Sequence, residues 1–309
     1  MLNSHSMQAP GAVVMVLPHW FTPNPETEAD NAFQTGASNG QREAVAKTAY
    51  DEVAAMIERL RDEGVHVHVF EDTGKLTPDS VFPNNWFSTH LAGQVVIYPM
   101  YPPSRRGERR ADVIEVLKAD YRVMEVTDYS GLEQDHLFLE GTGAMVLDHL
   151  GRVAYMARSN RANPLVLERF CERFGFEPMV FDAVDADGTP IYHTNVMMGV
   201  ATEFALVGME TITEDRRAEV RARLEASGRE VIELSHEQIA QFAGNAIELS
   251  GRGSRILALS QTAFDSLTGA QKASIERSAR LVPISVPTIE QAGGSVRCMV
   301  AGIHLSRRA

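Results

Sequence analysis

Short apolar runs ended by turn residues alternate with amphipathic helical stretches along the whole chain, the rhythm of an α/β protein. Ala12 to Leu17 predicts a first strand. After a Gly-rich loop, Val53, Ile57 and Leu60 recur at helical spacing in a stretch from Ala44 to Glu63. Gly64 is placed to end that helix, because a residue without Cβ adopts the left-handed backbone that closes a last turn. Val65 to Phe70 then alternates histidine with apolar residues, as a half-buried strand does.

The next unit reads Trp86 to His90 and Gln94 to Pro99 as strands, Ala111 to Ala119 as a helix and Tyr121 to Val126 as a strand. The order recurs in Glu140 to Leu147, Val153 to Ala157, the helix Pro164 to Phe174 and Glu177 to Phe181. It recurs again in His193 to Val200, Glu203 to Val207, the helix Glu214 to Ala226 and Glu230 to Glu233. A last copy carries Ala246 to Ser250, Ile256 to Ser260, the helix Gly269 to Arg280 and Leu281 to Val286. A strand-strand-helix-strand repeat of about 50 residues points to pseudosymmetric blades. No low-complexity linker divides them, so residues 1–309 read as a single domain.

Composition narrows the partners. A formal charge of −12 and a pI near 5.3 repel a phosphate backbone, which argues against nucleic acid. Arg105, Arg106, Arg109 and Arg110 form one local exception, read either as a solvated loop or as a carboxylate clamp. Cys171 and Cys298 are too few for a disulfide framework and have no CxxC metal spacing, which fits a reduced cytoplasm. Met1 to Gly11 has no basic region followed by an apolar run, and no apolar segment is long enough to span a bilayer, so neither secretion nor a membrane is expected.

Three residues stand where chemistry could be done. Cys298 lies in GGSVRCMVAGI, where Gly293 and Gly294 permit unusual backbone angles and Arg297 can favour a thiolate. His193 opens HTNVMMGV after Pro190, where a turn delivers an imidazole to a strand end, as a general base requires. Glu140 begins EGTGAMVLD, with Gly141 and Gly143 letting backbone pack near a ligand. Taken singly, each has a plain explanation: a buried thiol, a structural histidine, a surface carboxylate before a turn. Cys171, beside Phe170 and Phe174 in a helical pattern, fits the plain explanation better than Cys298 does.

The conjunction of GluGlyXxxGly, HisXxxAsn and GlyGlyXxxXxxArgCys, each at the entrance to a successive unit, resembles the guanidino-group-modifying superfamily of arginine deiminases, dimethylargininases and amidinotransferases. Within it the chain looks most like the citrulline-utilisation hydrolase branch, over nearly its whole length from LPHWFTPNPETEADNAFQ through PDSVFPNNWFSTH to the Cys segment. The resemblance implies a five-bladed α/β propeller with an amidinotransferase-like fold and substrate at the pseudo-axis. It also implies a covalent intermediate on Cys298, acid/base work by His193 and a partner role for Glu140, with no metal or organic cofactor.

Two departures bear on the substrate. Arginine-processing relatives carry an acid in the segment matching Phe82 to Trp86, where this chain has Asn84 and Asn85, and the deiminases carry another where it has Asn195. A carboxylate suits a cation, whereas an amide offers donor and acceptor to a neutral ureido group. The expected reaction is therefore citrulline to ornithine, ammonia and carbon dioxide. Asp79 keeps alive the alternative of a deiminase, dimethylargininase or amidinotransferase acting on a guanidino substrate, and a non-catalytic binding protein on the same fold is a further alternative. In relatives, arginines bind the substrate carboxylate; Arg106 and Arg161 stand in matching contexts, with Arg105 an alternative to Arg106. Arg297 is counted with them. The expected partner is a small amino acid, with a homo-oligomer compatible, and Thr22 to Gln34, bracketed by Pro23, Pro25 and Gly36, reads as a mobile cover.

Overall fold

A computed structural model describes residues 6–34 and 42–308. Strands β1 (Ala12–Pro18) and β2 (His66–Asp72) run parallel, so the chain needs a crossover between them, which the helix Arg42–Asp62 provides. That helix buries Ala46, Ala49, Val53, Met56, Ile57 and Leu60, one apolar stripe at helical spacing. Gly64 follows with φ of +90°, as the sequence anticipated.

The same arrangement repeats four times. β3 (Phe87–His90), β4 (Gln94–Ile97) and β5 (Glu125–Asp128) form one sheet, and β6 (Val146–Asp148), β7 (Val153–Ala157) and β8 (Glu177–Phe181) the next. β9 (Met198–Val200), β10 (Phe204–Val207) and β11 (Glu230–Glu233) form a third, and β12 (Ile247–Ser250), β13 (Arg255–Ser260) and β14 (Arg280–Ile284) a fourth. In each, the first strand is antiparallel to the second, and the third returns parallel to it after helical crossover. The fifth sheet joins distant parts of the chain: β15 (Ala301–Gly302) pairs antiparallel with β1, Val13 opposite Gly302 and Val14 opposite Ala301. The architecture is thus the five-bladed α/β propeller.

Central strands β1, β7, β10 and β13 are buried along their whole length, as strands covered on both faces must be, which explains their unbroken apolar runs. The helix Pro164–Phe174 shows why the sequence marks boundaries well. Asn163 caps Leu165 N–H, Pro164 fits the first turn, and Gly175 closes the helix at φ of +69°. Its face buries Val166, Leu167, Phe170, Cys171 and Phe174, so Cys171 is a core thiol.

Three expectations shift. The strand placed at Tyr121 begins only at Glu125, because Tyr121 bridges Arg307 and Arg122 N–H bonds Ser306 O instead. The helix placed at Gly269 to Arg280 ends at Glu276, and a separate short helix, Gln261–Ser266, precedes it. Glu140 to Leu147 and His193 to Val200, read as strands, each begin with a helical turn, Gly141–Ala144 and Thr194–Val196. The Gly-rich loop before the first helix, with Gly36, lies outside the described residues, as does the start of Met1 to Gly11. Among the described residues, no helix is long and apolar enough to cross a membrane.

Candidate active site

The turns that precede the first strand of each unit all come to one end of the axis. They deliver Asn85 before β3, Glu140 before β6, His193 before β9, Asn245 before β12 and Cys298 before β15. The same turn in each unit therefore supplies a polar side chain to the site, of four kinds in all.

Gly293, with φ of +79°, and Gly294, where a Cβ would stand 2.8 Å from the Phe82 ring, shape the turn that presents Cys298. The Cys298 sulfur is buried and accepts from Asn245 Nδ2 at 3.1 Å and Asn195 Nδ2 at 3.3 Å. Phe82, Asn85, Asp79, Arg105, Arg161, Tyr192 and His193 wall the cavity beside it, which holds about 10 Å³ of free space, room for one water.

His193 Nε2 lies 2.9 Å from Glu140 Oε2. The carboxylate accepts, so the proton sits on Nε2 and Nδ1 keeps the lone pair. Burial lowers the imidazole to about 4, against the pull of Glu140, so the resting ring is neutral. Glu140 is itself wholly buried; burial pushes it up, but Arg161, the His193 hydrogen bond and Arg105 together hold it down at about 2. Gly143 has no room for a side chain: a Cβ would meet Asn85 Nδ2 at 2.2 Å and His193 Nδ1 at 2.9 Å.

Two buried guanidiniums complete the wall. Arg105 forks onto Glu108 through two bonds of 2.9 Å, reaches Glu140 at 3.3 Å and stands 3.6 Å from Asp79. Burial works against its charge, and Glu108, Asp79 and Glu140 outweigh it, raising its pKa. Arg161 packs over the Tyr192 ring at 4.8 Å and is gripped in bidentate fashion by Asp30, with Nε 3.0 Å from Oδ2. Burial raises the Asp79 carboxyl, although Arg105 and a 2.8 Å hydrogen bond from Asn24 oppose it.

The segment expected as a cover lies over this cavity. Asn24 reaches Asp79, Asp30 reaches Arg161, and Asn31 donates to Ala292 O at 3.0 Å. Phe33 packs on Tyr192 and Phe242.

Of the residues named from sequence, Cys298, His193, Glu140, Asp79, Asn85, Asn195 and Arg161 come together here. Asn84, the neighbour of Asn85 in the same 3₁₀ turn, is buried with both side-chain amide atoms unpartnered and does not line the cavity. Arg106 is corrected: it turns outward to Met100 O, Tyr101 O and Glu133, and Arg105 takes the wall. Arg297 is corrected too: it lines a separate axial cavity of about 60 Å³ at the far side, with His149, His304 and Glu248, and donates to Val300 O. Sequence reasoning missed Asp30, Glu108 and Asn245. Among the described residues, no group of three or more His, Cys, Asp or Glu could hold a metal.

Residues 17–305 match the family described as N,N dimethylarginine dimethylhydrolase, eukaryotic. No curated protein matches in sequence. Among solved structures, the N-terminal domain of ArgZ, covalently bound to a reaction intermediate, superposes with a TM-score of 0.73 at 17% identity, covering 94% of this chain and 97% of that one. ArgZ is described as an arginine dihydrolase from the ornithine-ammonia cycle in cyanobacteria. AgrE with ornithine and NAD+ gives 0.74 at 17% identity, covering 96% of this chain but 40% of that longer one. A dimethylarginine dimethylaminohydrolase adduct with S-methyl-L-thiocitrulline gives 0.62 at 15% identity, covering 94% and 98%.

Proposed function

Because the chain belongs to the N,N-dimethylarginine dimethylhydrolase family of guanidino-group-modifying enzymes, we propose that it is a hydrolase cleaving C–N bonds of a ureido amino acid, citrulline foremost, through a covalent bond to Cys298. The observation that carries the substrate reading is Asn85 Nδ2, which stands on the cavity wall buried and without a partner. A guanidinium presents only donors and cannot satisfy it; a ureido oxygen can.

His193 Nδ1 takes the Cys298 thiol proton, the thiolate attacks the ureido carbon, forming the S–C bond, and the imidazolium passes that proton to the departing nitrogen, which leaves as ammonia as its bond to carbon breaks. His193 then takes a proton from water, whose oxygen attacks the thioester carbon and expels the Cys298 sulfur. The resulting carbamate loses carbon dioxide to give ornithine, so one water is consumed overall. Glu140 holds the ring and stabilises the imidazolium that each step creates. Arg161, with Arg105 behind it, is the candidate for the substrate carboxylate, whose entry requires the covering segment to move because the space left is about 10 Å³. Two free cysteines suit a reducing compartment such as the cytoplasm.

A second reading, hydrolysis of arginine, is favoured by Asp79: its carboxyl is raised by burial on the cavity wall, and a bound cation would repair that. The test is ornithine and ammonia release from citrulline beside arginine, with Cys298→Ala as control. Cys298-dependent ornithine from citrulline alone supports the ureido reading. Turnover of arginine with citrulline accumulating refutes it, and inertness of both substrates refutes the hydrolase reading altogether.

A further inference from the structure

We infer that Asn245 is a fourth functional residue of the site, one that holds the Cys298 sulfur in its thiolate form. The inference rests on Cys298 being the nucleophile.

Asn245 is wholly buried, and every polar atom of its side chain is committed. One amide proton of Nδ2 points to the Cys298 sulfur at 3.1 Å and the other to Asn195 O at 3.0 Å, while Oδ1 accepts from Arg297 N–H at 3.0 Å. These bonds fix the amide orientation: a flipped side chain would turn an acceptor toward Asn195 O and a donor toward the Arg297 N–H. The sulfur therefore faces an N–H, and a hydrogen bond to a charged acceptor is roughly twice as strong as one to a neutral acceptor. Asn195 offers a second donor at 3.3 Å, with its own Oδ1 at 3.7 Å as an acceptor for a thiol proton, so Asn245 is the nearer donor to the sulfur and the one whose orientation is fixed.

The backbone is built for this approach. At Gly244 a Cβ would stand 2.6 Å from Met197 C and 2.7 Å from Val196 O, so only glycine brings this turn against the turn that carries His193 and Asn195. Phe242, three residues earlier, holds a φ of +60°, a left-handed conformation costly for an aromatic residue, and Asn245 N–H bonds its carbonyl at 2.9 Å. Asn245 also stands in the turn before β12, as Asn85, Glu140, His193 and Cys298 stand in the turns before the first strands of the other four units. The fourth unit would otherwise contribute nothing to the site.

The experiment is a pH titration of the ultraviolet thiolate absorbance of the full chain, each protein measured against its own Cys298→Ser counterpart. Asn245→Ala removes the donor; Asn245→Asp keeps the shape and the acceptor for Arg297 N–H while turning an oxygen toward the sulfur. The expected result is an upward move of the Cys298 midpoint by about one pH unit for Asn245→Ala, equivalent to about a tenfold loss of thiolate below the midpoint, and a larger move for Asn245→Asp. Midpoints unchanged in folded Asn245→Asp would overturn the inference, and that variant decides the matter if Asn245→Ala does not fold. The readout needs no substrate: a wild-type chain that hydrolyses neither citrulline nor arginine, yet shows these moves, would discard the hydrolase reading and keep the role of Asn245.

Discussion

Asp30, from the segment that covers the cavity, closes a two-bond grip on Arg161 at its wall. The guanidinium fork that would receive a substrate carboxylate is thus already filled by one from the protein. A substrate carboxylate that binds Arg161 as proposed would exchange with Asp30, and that exchange would couple binding to movement of the cover.

Asp30→Asn weakens the grip, because a neutral amide replaces a charged acceptor. The expected outcome is faster hydrogen exchange at backbone amides of residues 24–34 and a several-fold lower KM for an amino-acid substrate. Unchanged exchange would show that the segment is held by its other bonds, those of Asn24 and Asn31.

Asn85→Asp would place a carboxylate on the cavity wall beside His193. The kcat/KM ratio of arginine to citrulline should rise by about tenfold or more, the scale set by exchanging a neutral for a charged hydrogen bond. Assaying both substrates on both proteins measures it. A constant ratio would mean that Asn85 does not meet the reacting group.

Acid should weaken the fold first through its buried histidines and, below about 4.5, through Glu140 as well. Burial lowers His193 to about 4, His90 to about 3 and His149 well below its ordinary 6.5. Folded pKa values below the unfolded ones mean that the unfolded chain binds more protons, so stability from these groups is whole above about 6.5 and is lost as pH falls through about 4 for His193 and about 3 for His90. Glu140, held at about 2 against an ordinary 4.5, contributes above 4.5 and loses its part only as pH falls from there toward 2. Denaturant midpoints measured across this range should therefore decline first in the histidine window. His149→Gln should flatten that decline; an unaltered slope would remove His149 from the account.

What the sequence made legible follows from how local each signal is. Cys298, His193 and Glu140 stand in short glycine-marked turns, and a glycine that a turn requires leaves its mark beside the residue it positions. The choice between Arg105 and Arg106 was not local in that sense. Pro103–Glu108 is a 3₁₀ helix, whose three-residue turn puts Arg105 on one face with Glu108 and rolls Arg106 to the other. Read as a loop, the stretch gives no reason to prefer either. Asp30 escaped because its partner lies 131 positions along the chain, in a different unit. Asn245 escaped because a single asparagine before Ile247 carries no motif. Only its place in the turn ahead of the strand expected from Ala246, as Cys298 lies in the turn ahead of β15, sets it apart.

Strand β15, which follows Cys298, finds its partner in β1, so the turn that carries the proposed nucleophile is held in place by pairing with a strand nearly 300 residues earlier in the sequence. Without the β15–β1 pairing the ring would be open and the turn of Cys298 would not be held against the turns of the other four units. Closing the ring and arming the site are one event. A chain interrupted upstream of Cys298 would lack both, and would expose the flank of β1 where Val13 and Val14 otherwise meet Gly302 and Ala301.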